Sequence, residues 1–485
     1  MTNTSISGSQ VTNTKERTLV EVDPALLAVI KSAGAPVGVP KTVAVPREIP
    51  GTSSPITGMR VMFDIARRGV DAALDYRAKY GDIYQIWFAG VPMVGVWDAD
   101  AVHQILRNDD KAWSAAMGWG KAMFEGLDER GNVGGLLALD FDDHRLARKL
   151  VAPGFTTKAV DEYLVTAQRH FAETNAAWVA RGHVAFKAEG RALISRVAGE
   201  IFTGIRDPEQ MKVLDRALTD FWYVQHAIAK NEWLSPKFRR AKKGLATLLE
   251  MLTKLLPERR AAGGVDLLSR LCAVEDREGL GDDDLIRLFV NIMAAAFDTT
   301  AAGMTSMAFL LAKHPAWQEK LREEAFAIGD RPLDALASRE MKLHDLVWKE
   351  TLRLMPVAAF VPRRPLRDVA IGTYRVPAGT MVVAASGAIG RHPAYWTAPS
   401  TFDPERFSPE RAEDKRHPGI YNPVGGGAHV CIGMQLATME VKAFWHDLLR
   451  RCRIRLTRDH EAHHVIAPLG TVSGDVALTL TPLGD

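Results

Sequence analysis

The sequence predicts one large domain, residues 46–485, that is mainly α-helical with a minor β portion. Two observations carry this prediction. Apolar residues recur with helical periodicity through most of residues 142–355, whereas alternating, strand-like patterns are confined to short patches such as 81–98 and 370–387. The composition, with 47% hydrophobic and 25% charged residues, allows a large buried core. Residues 1–45 are expected to form a flexible extension.

The charge balance and the cysteine content exclude several classes of protein. A formal net charge of +3 over 485 residues gives no basis for nucleic-acid binding. The N-terminus has no apolar segment, so we expect neither a secretory signal nor a membrane anchor, and a cytoplasmic location. The three cysteines, Cys272, Cys431 and Cys452, are far apart and odd in number, which argues against a disulfide framework and a zinc site.

The elements follow in order along the chain. A Pro- and Gly-rich stretch leads into a first helix at about 60–80, and the patch at 81–98 predicts a hairpin around a Gly-Val-Pro turn. Residues 112–139 contain several glycines and aromatic residues without clear periodicity, which predicts a long functional loop. The helical region is broken at GIRDPEQ, LSPK and RAAGGVD. A last helix is expected at about 432–450, before a strand-like tail.

One apolar stretch, IMAAAFDTTAAGMTSMAFLLA at 292–312, is long enough to cross a bilayer. It contains Asp298 and several hydroxyl side chains, which predicts instead the central buried helix of a large protein. A threonine hydroxyl inside a helix can bond to a carbonyl one turn earlier. Asp298 beside Thr299 is therefore a candidate proton relay, with a helix-packing site around a hydrogen-bonded aspartate as the alternative.

A glycine-rich loop precedes the last helix, in YNPVGGGAHVCIGMQLATME at 421–440. Consecutive glycines indicate a tight turn or a close approach of the backbone to another group. Cys431 stands at the mouth of the helix, where backbone N–H groups and the helix dipole favour a thiolate. With His429 nearby, the loop is typical of a site that holds a sulfur anion. The alternative is a glycine-rich turn with a chance buried cysteine.

Two further motifs depend on their context. Glu350 and Arg353, in WKETLRLMP, are spaced to pair on one helical face, and Arg406 in FDPERF is available as a third member. The same E-x-x-R spacing recurs at 319–322 and 413–416, so a solvated surface pair is the alternative to a buried network.

The second motif is DFDDHRLARKLVAPGF. His144 and Arg148 are four residues apart and project from one helical face, where they are candidates for gripping an anionic group. Without context, a solvated helix face is the better interpretation.

Taken together and in this order, the motifs resemble the cytochrome P-450 family of haem-thiolate monooxygenases, from YGDIYQIW to the cysteine loop. The family pattern F-x-x-G-x-H/R-x-C-x-G is matched by Gly427, His429, Cys431 and Gly433. The resemblance implies the family fold, a large helical domain with a small β-rich N-terminal region. It also implies heme b with the Cys431 thiolate as the axial ligand of iron.

The resemblance assigns the other motifs in the same way. It implies that Asp298 and Thr299 deliver protons to bound dioxygen. Glu350, Arg353 and Arg406 correspond to a structural triad. The expected partners of the haem propionates are His144, Arg148, His429 and Arg363, with Arg364 as the alternative to Arg363. Two positions depart from the family pattern: Val424 replaces a phenylalanine near the thiolate, and Ala296 replaces a glycine of the distal helix.

The resemblance also implies where the substrate binds. The pocket is expected between the loop before His144, the distal helix, the strand after the Glu350 helix and the C-terminal turn. Because most candidate residues are apolar, the substrate should be apolar too. The candidates are Trp113, Met117, Trp119, Phe124, Met293, Ala294, Phe297, Val357, Ala358 and Val472.

The implied function is insertion of one oxygen atom of dioxygen into an apolar organic molecule, by hydroxylation or epoxidation. A peroxide-driven peroxygenase and a non-catalytic haem protein that binds or senses a small molecule are the alternatives, and the Asp298–Thr299 pair argues against both. No flavin or iron–sulfur region follows the cysteine loop, so a separate ferredoxin or flavodoxin is the expected electron donor. Lys442, Arg450 and Arg451 are the predicted docking residues.

Overall fold

A computed structural model describes residues 18–21, 42–44, 49–88, 91–124, 126–127, 135–227, 230–274, 281–466 and 469–484. Of the extension predicted to be flexible, it describes two short strands that pair antiparallel. The rest of residues 1–45, and the Ala89–Gly90 tip of the predicted hairpin, lie outside the described residues. The flexibility of the extension and the boundary at residue 46 stay predictions.

Helices form most of the described chain, as predicted. The α-helices are α1 (Pro55–Tyr80), α2 (Ala99–Arg107), α3 (Phe141–Val151), α4 (Thr157–Arg181), α5 (Phe186–Thr203), α6 (Pro208–Trp222), α7 (Pro236–Ala262), α8 (Leu267–Cys272), α9 (Asp282–Lys313), α10 (Pro315–Ile328), α11 (Ala335–Glu340), α12 (Lys342–Leu354) and α13 (Met434–Arg451). The 112–139 region, predicted to be irregular, contains a π-helix at Ala116–Phe124 and a 3-10 turn at Gly135–Ala138.

The β portion consists of several small sheets. The largest has five strands in the order β3-β4-β10-β7-β5, with β4 and β10 parallel and the other pairs antiparallel. The strands are β1 (Thr18–Glu21), β2 (Thr42–Ala44), β3 (Ile83–Phe88), β4 (Val91–Val96), β5 (Trp113–Ser114), β6 (His183–Ala185), β7 (Val361–Pro365), β8 (Val369–Ile371), β9 (Tyr374–Val376), β10 (Met381–Ala384), β11 (Cys452–Leu456), β12 (His464–Ile466), β13 (Gly470–Val472) and β14 (Ala477–Pro482).

The predicted hairpin is confirmed, but two residues expected in its turn belong to a strand. Val91 and Pro92 belong to strand β4, where they pair with Phe88 and Trp87 of β3. The predicted helix breaks also coincide with observed ends. Gly204 closes α5 in the left-handed conformation, and Ser235 caps α7 by accepting the N–H of Phe238 at 3.2 Å.

Helix α9 is the central helix of the fold. It packs against α5 on one side and α12 on another. Gly303 allows the approach to α12, because a Cβ there would lie 2.5 Å from the Trp348 ring. By length and composition α9 is the one described helix able to cross a membrane, and most of its apolar segment is buried inside the protein. The sequence prediction of a buried central helix is therefore confirmed.

A buried ion network fixes the segment that leads to the cysteine loop. The Glu350 carboxylate accepts Nε and Nη2 of Arg353 at 2.6 and 2.7 Å, and Nε of Arg406 at 3.2 Å. Glu413 adds a second carboxylate, 3.2 Å from Nη1 of Arg406. The 413–416 motif, which the sequence left as a surface pair, thus contributes its acid to this network. The remaining N–H groups of the two arginines donate to backbone carbonyls within residues 390–401.

We expect Glu350→Gln to lower the free energy of unfolding by about 3–5 kcal/mol, because it leaves two buried arginines without their shared carboxylate. Urea unfolding followed by circular dichroism measures the change. The matched control is Glu250→Gln, which removes an exposed partner of Lys254 and should leave the unfolding midpoint nearly unchanged. Equal midpoints for the two variants would contradict a structural role for the network.

Candidate haem and proton-transfer site

The cysteine loop is held by its own backbone and by α2. The Cys431 N–H donates to the Val424 carbonyl at 3.1 Å, which closes the loop at the position where the family usually has phenylalanine. Gly425 and Gly427 have φ values of 76° and 61°. A Cβ at Gly427 would lie 2.1 Å from the Leu106 carbonyl oxygen, so the loop requires glycine there for both its conformation and its packing.

The loop alone does not stabilise a thiolate, contrary to the expectation from sequence. Cys431 is solvent-accessible, yet protein atoms surround it closely enough that desolvation raises the pKa of its thiol. The backbone N–H groups of Gly433 and Met434 and the charge of Arg148 act in the opposite direction and offset part of this increase. A metal ion bound at the sulfur would supply the remaining stabilisation, because coordination deprotonates a thiol outright.

Two arginines and two buried histidines lie together beside the cysteine loop. The rings of His144 and His429 lie 3.9 Å apart between centroids. Burial lowers the pKa of His144 to about 4 and that of His429 to about 2, and the charges of Arg148 and Arg363 add to both decreases. Arg148 donates to the Val430 carbonyl at 2.8 Å. The structure thus brings together all four residues predicted to meet the propionates.

Arg363, rather than Arg364, belongs to this cluster. Arg363 is 4% exposed, and burial lowers its pKa to about 10. The charge of Arg363 lowers the pKa of both histidines. Arg364 lies beside it on β7 and donates instead to the Gly379 carbonyl at 2.6 Å. Successive side chains of a strand point to opposite faces, which explains the difference.

The residues present fit a haem. Nε2 of His144 is buried and has no hydrogen-bond partner among the described residues, so the donor cluster lacks an acceptor that a propionate would supply. A Cβ at Gly433 would meet only ordinary contacts, 3.9 Å from Phe155 and 4.0 Å from the Cys431 sulfur. The packing of the protein itself therefore does not require glycine at 433. A side chain is absent where a flat group such as haem would lie against the loop.

Helix α9 presents an accessible strip in its otherwise buried middle. Ala295, Ala296, Thr299 and Ala302 are half-buried, whereas most of their neighbours are fully buried. The Thr299 hydroxyl donates to the Ala295 carbonyl at 2.7 Å, as predicted for a helical threonine. Ala296, the second departure from the family pattern, lies on the accessible side.

The Asp298 carboxylate is anchored by a residue that the sequence did not reveal. Nε of Arg191, in α5, donates to it at 2.7 Å. Arg191 also donates to the Thr219 hydroxyl at 2.8 Å and lies 3.3 Å from Asp215. These partners come from α5 and α6, about eighty to one hundred residues from Asp298, so no local spacing could have indicated them. Side chains of Arg191, Asp215 and Asp298 remain partly exposed.

The predicted pocket residues are placed as follows. Trp119 and Ala358 are half-buried. The π-helix that carries Trp119 packs on β7, and the Gly470 N–H donates to the Val357 carbonyl at 2.9 Å, which joins the C-terminal turn to the segment after α12. On α9, residues 293, 294 and 297 have at most 1% exposure. The pocket remains a prediction. The predicted members that are buried in the structure are Trp113, Met117, Phe124, Met293, Ala294, Phe297, Val357 and Val472.

The prediction that Lys442 docks an electron donor is wrong. Lys442 is 6% exposed, donates to the Ser338 carbonyl at 2.9 Å and pairs with Asp345 at 3.3 Å. Its side chain lies on the buried side of α13, where it binds α11 and α12. It is therefore not accessible to a partner protein. Arg450 and Arg451 are partly exposed and pair with Asp330 and Asp447.

Comparisons with known proteins agree with this site. The profile of the family cytochrome P-450 matches residues 50–472. Cytochrome P-450 136 of Mycobacterium tuberculosis is 33% identical over 405 residues, 82% of this chain and 81% of that protein. Ent-kaurenoic acid oxidase 1 of Hordeum vulgare is 28% identical over 76% of this chain and 75% of its own length.

A solved structure shows the same fold. The cyanobacterial cytochrome P-450 120A1 with retinoic acid bound superposes with a TM-score of 0.80 and 21% identity, and the match covers 91% of this chain and 100% of that one. The family profile and the Mycobacterium relative together decide the assignment. The chain belongs to the cytochrome P-450 family and is a haem-dependent monooxygenase.

Proposed function

We propose that the chain binds heme b between the cysteine loop and the accessible strip of α9 and hydroxylates or epoxidises an apolar organic substrate. The observation that carries the proposal is Cys431, accessible in its glycine loop beside a donor cluster in which His144 Nε2 has no partner among the described residues. Cys431 would hold the iron, while His144, His429, Arg148 and Arg363 would neutralise the propionates. The bound haem supplies activation of dioxygen, favoured by a thiolate ligand.

The polar residues of α9 would bring protons to the reaction. The Thr299 hydroxyl lies on the accessible strip and donates its proton to the Ala295 carbonyl, so its oxygen would accept a hydrogen bond and hold a proton-bearing group at that place. Asp298 immediately precedes it in sequence and is partly exposed, which gives protons a route from solvent. This pair favours a dioxygen-dependent enzyme over a peroxygenase or a sensor, neither of which needs proton delivery.

Arg191 would hold this relay in place. Its guanidinium fixes one oxygen of Asp298 and ties the acid to α6 through Thr219 and Asp215. Ser195 donates to Asp215 at 2.7 Å and keeps that second carboxylate oriented. Arg191 is thus a positioning residue for proton transfer.

The electrons would come from a separate ferredoxin or flavodoxin, in a cytoplasmic setting. A four-cysteine iron–sulfur cluster within the chain is excluded because only three cysteines occur, of which Cys431 is already assigned. The apolar character of the predicted pocket supports an apolar substrate. The resemblance to an enzyme named ent-kaurenoic acid oxidase supports the same class.

We expect Cys431→Ser to lose the long-wavelength, red-shifted Soret band of the ferrous–carbon monoxide complex, because an alcohol oxygen does not replace the thiolate. The difference spectrum of the purified haem protein measures this. Cys452→Ser is the matched control, since Cys452 is buried at the start of β11 and should keep the red-shifted band. A wild-type spectrum from Cys431→Ser would contradict the ligand assignment.

Thr299→Ala should waste reducing equivalents as hydrogen peroxide, because proton delivery then loses its last hydroxyl. With a surrogate ferredoxin and reductase, we expect the fraction of electrons that enters product to fall about tenfold. Thr305→Val removes another α9 hydroxyl, one that donates to the Ala301 carbonyl in the core, and should leave this fraction unchanged. Full coupling in Thr299→Ala would remove that residue from the relay.

Arg191→Gln should slow proton delivery, because the Asp298 carboxylate loses its fixed orientation. We expect a larger solvent deuterium isotope effect on turnover and a turnover rate lowered about tenfold, with substrate binding retained. The control is Arg196→Gln, five residues further along α5, where the exposed guanidinium donates to the Thr174 hydroxyl. Identical isotope effects in both variants would show that Arg191 does not act on the relay.

A further inference from the structure

Helix α1 is broken at Gly69, and a histidine from the C-terminal hairpin of β12 and β13 lies against the break. Gly69 has φ of 52° and ψ of −130°, which lie outside the helical region. The next N–H along the chain, that of Val70, donates to Nδ1 of His464 in β12 at 3.3 Å. A Cβ at Gly69 would lie 2.4 Å from that nitrogen, so this approach requires glycine. The break in α1 is therefore shaped around one imidazole ring.

The other nitrogen of His464 binds a different part of the chain. Because Nδ1 accepts a hydrogen bond, the proton of the neutral ring is on Nε2, which donates to the Pro356 carbonyl at 2.9 Å. His464 is 1% exposed, and burial lowers its pKa to about 4, so the ring is neutral near pH 7. Both ring nitrogens thus have partners within the protein, and both partners are backbone groups.

The Pro356 carbonyl belongs to the segment that leads from α12 into the predicted pocket. Val357, the next residue, and Val472, the β13 partner of His464, are both predicted pocket members. The Gly470 N–H donates to the Val357 carbonyl at 2.9 Å, and a Cβ at Gly470 would lie 2.4 Å from Nε2 of His464. His464 therefore lies where α1, the segment after α12 and the hairpin meet, and its two hydrogen bonds fix that segment relative to α1.

The neighbouring histidine binds α1 in a different way. Nε2 of His463 donates to the Arg67 carbonyl at 3.0 Å, on the other side of the break in α1. The His463 ring is exposed, and its Nδ1 lies 3.3 Å from the Ser473 hydroxyl within the hairpin. In the described chain, the hydrogen bonds of His463 thus join the hairpin to α1 and do not extend to Pro356.

We propose that His464 is a positioning residue for the substrate pocket, and that its hydrogen bond to Pro356 fixes the segment after α12 without contact with the substrate. Pro356 is buried, so loss of the donor would leave a buried carbonyl unpaired, a cost that movement of the segment would relieve. The pocket would then fit bulky apolar molecules less closely. This inference rests on the proposed function and on the predicted pocket, and it adds a residue that sets the shape of the pocket.

The test uses the haem-loaded enzyme and two ligands of the iron, imidazole and 1-dodecylimidazole. Each binds through a ring nitrogen and shifts the Soret band, which reports its dissociation constant without turnover. His464→Asn keeps an acceptor near the position of Nδ1 but loses the donor to Pro356, whereas His464→Gln keeps an amide N–H near the position of Nε2. We expect the affinity for 1-dodecylimidazole relative to imidazole to fall about tenfold in His464→Asn and to stay within about twofold of the wild type in His464→Gln.

His463→Asn is the matched control, because it removes a hydrogen bond to α1 from the same hairpin and should leave the affinity ratio unchanged. Unchanged affinity for imidazole itself shows that a variant has folded around its haem. Gly470→Ala serves if His464→Asn folds poorly. Its Cβ would lie 2.0 Å from the Pro356 oxygen and displace the same carbonyl, so we expect the ratio to fall in this variant too.

A wild-type ratio in His464→Asn would overturn the inference, because the bond to Pro356 would then not shape the pocket. An equal decrease in His464→Asn and His464→Gln would also overturn it, because packing around the ring would then explain the effect. If imidazole does not shift the Soret band of the wild type, the haem assignment fails and this inference fails with it. A normal shift with an unchanged ratio refutes the role of His464 alone.

Discussion

The buried carboxylate of Glu350 is the interaction on which the rest of the site depends. It neutralises Arg353 and Arg406 inside the protein, with Glu413 as a second acid. The two guanidinium groups then bind backbone carbonyls between residues 390 and 401, where the chain has little regular secondary structure. A long irregular segment with unpaired carbonyls would be costly to bury. The network satisfies those carbonyls and so fixes the path of the chain toward Cys431.

The site joins two elements with different constraints. The cysteine loop requires glycine at 427, where the φ value and the Leu106 carbonyl exclude a side chain, but not at 433, where the protein leaves room. Helix α9 is buried on most sides and keeps small or hydroxyl residues on the one strip that remains accessible. The room at Gly433 and the small residues of the strip are consistent with a flat cofactor between the loop and the helix, whereas Gly427 is required by the packing of the protein itself.

The charges around the site are unbalanced until such a cofactor is bound. Arg148 and Arg363 lie near two histidines whose pKa values fall because burial and these cations disfavour protonation. The nearby acid, Asp140, accepts hydrogen bonds from the Ser114 hydroxyl and from the Ala115 N–H. Its charge offsets only part of the decrease that burial causes in the pKa of Arg363. Two carboxylates from a ligand would complete the cluster. Binding of the cofactor and stability of this region should therefore be linked.

The sequence by itself determined the fold class, the central buried helix, the hairpin and the order of the motifs, because these depend on local periodicity and on spacing within one element. It also identified Glu350, Arg353 and Arg406, through a resemblance covering nearly the whole chain. Only the tertiary structure showed that Arg191 holds Asp298, that Glu413 joins the buried network and that Lys442 is internal. These facts involve residues up to about one hundred positions apart in sequence. Packing between helices decides such contacts, and no periodicity within a single helix encodes them.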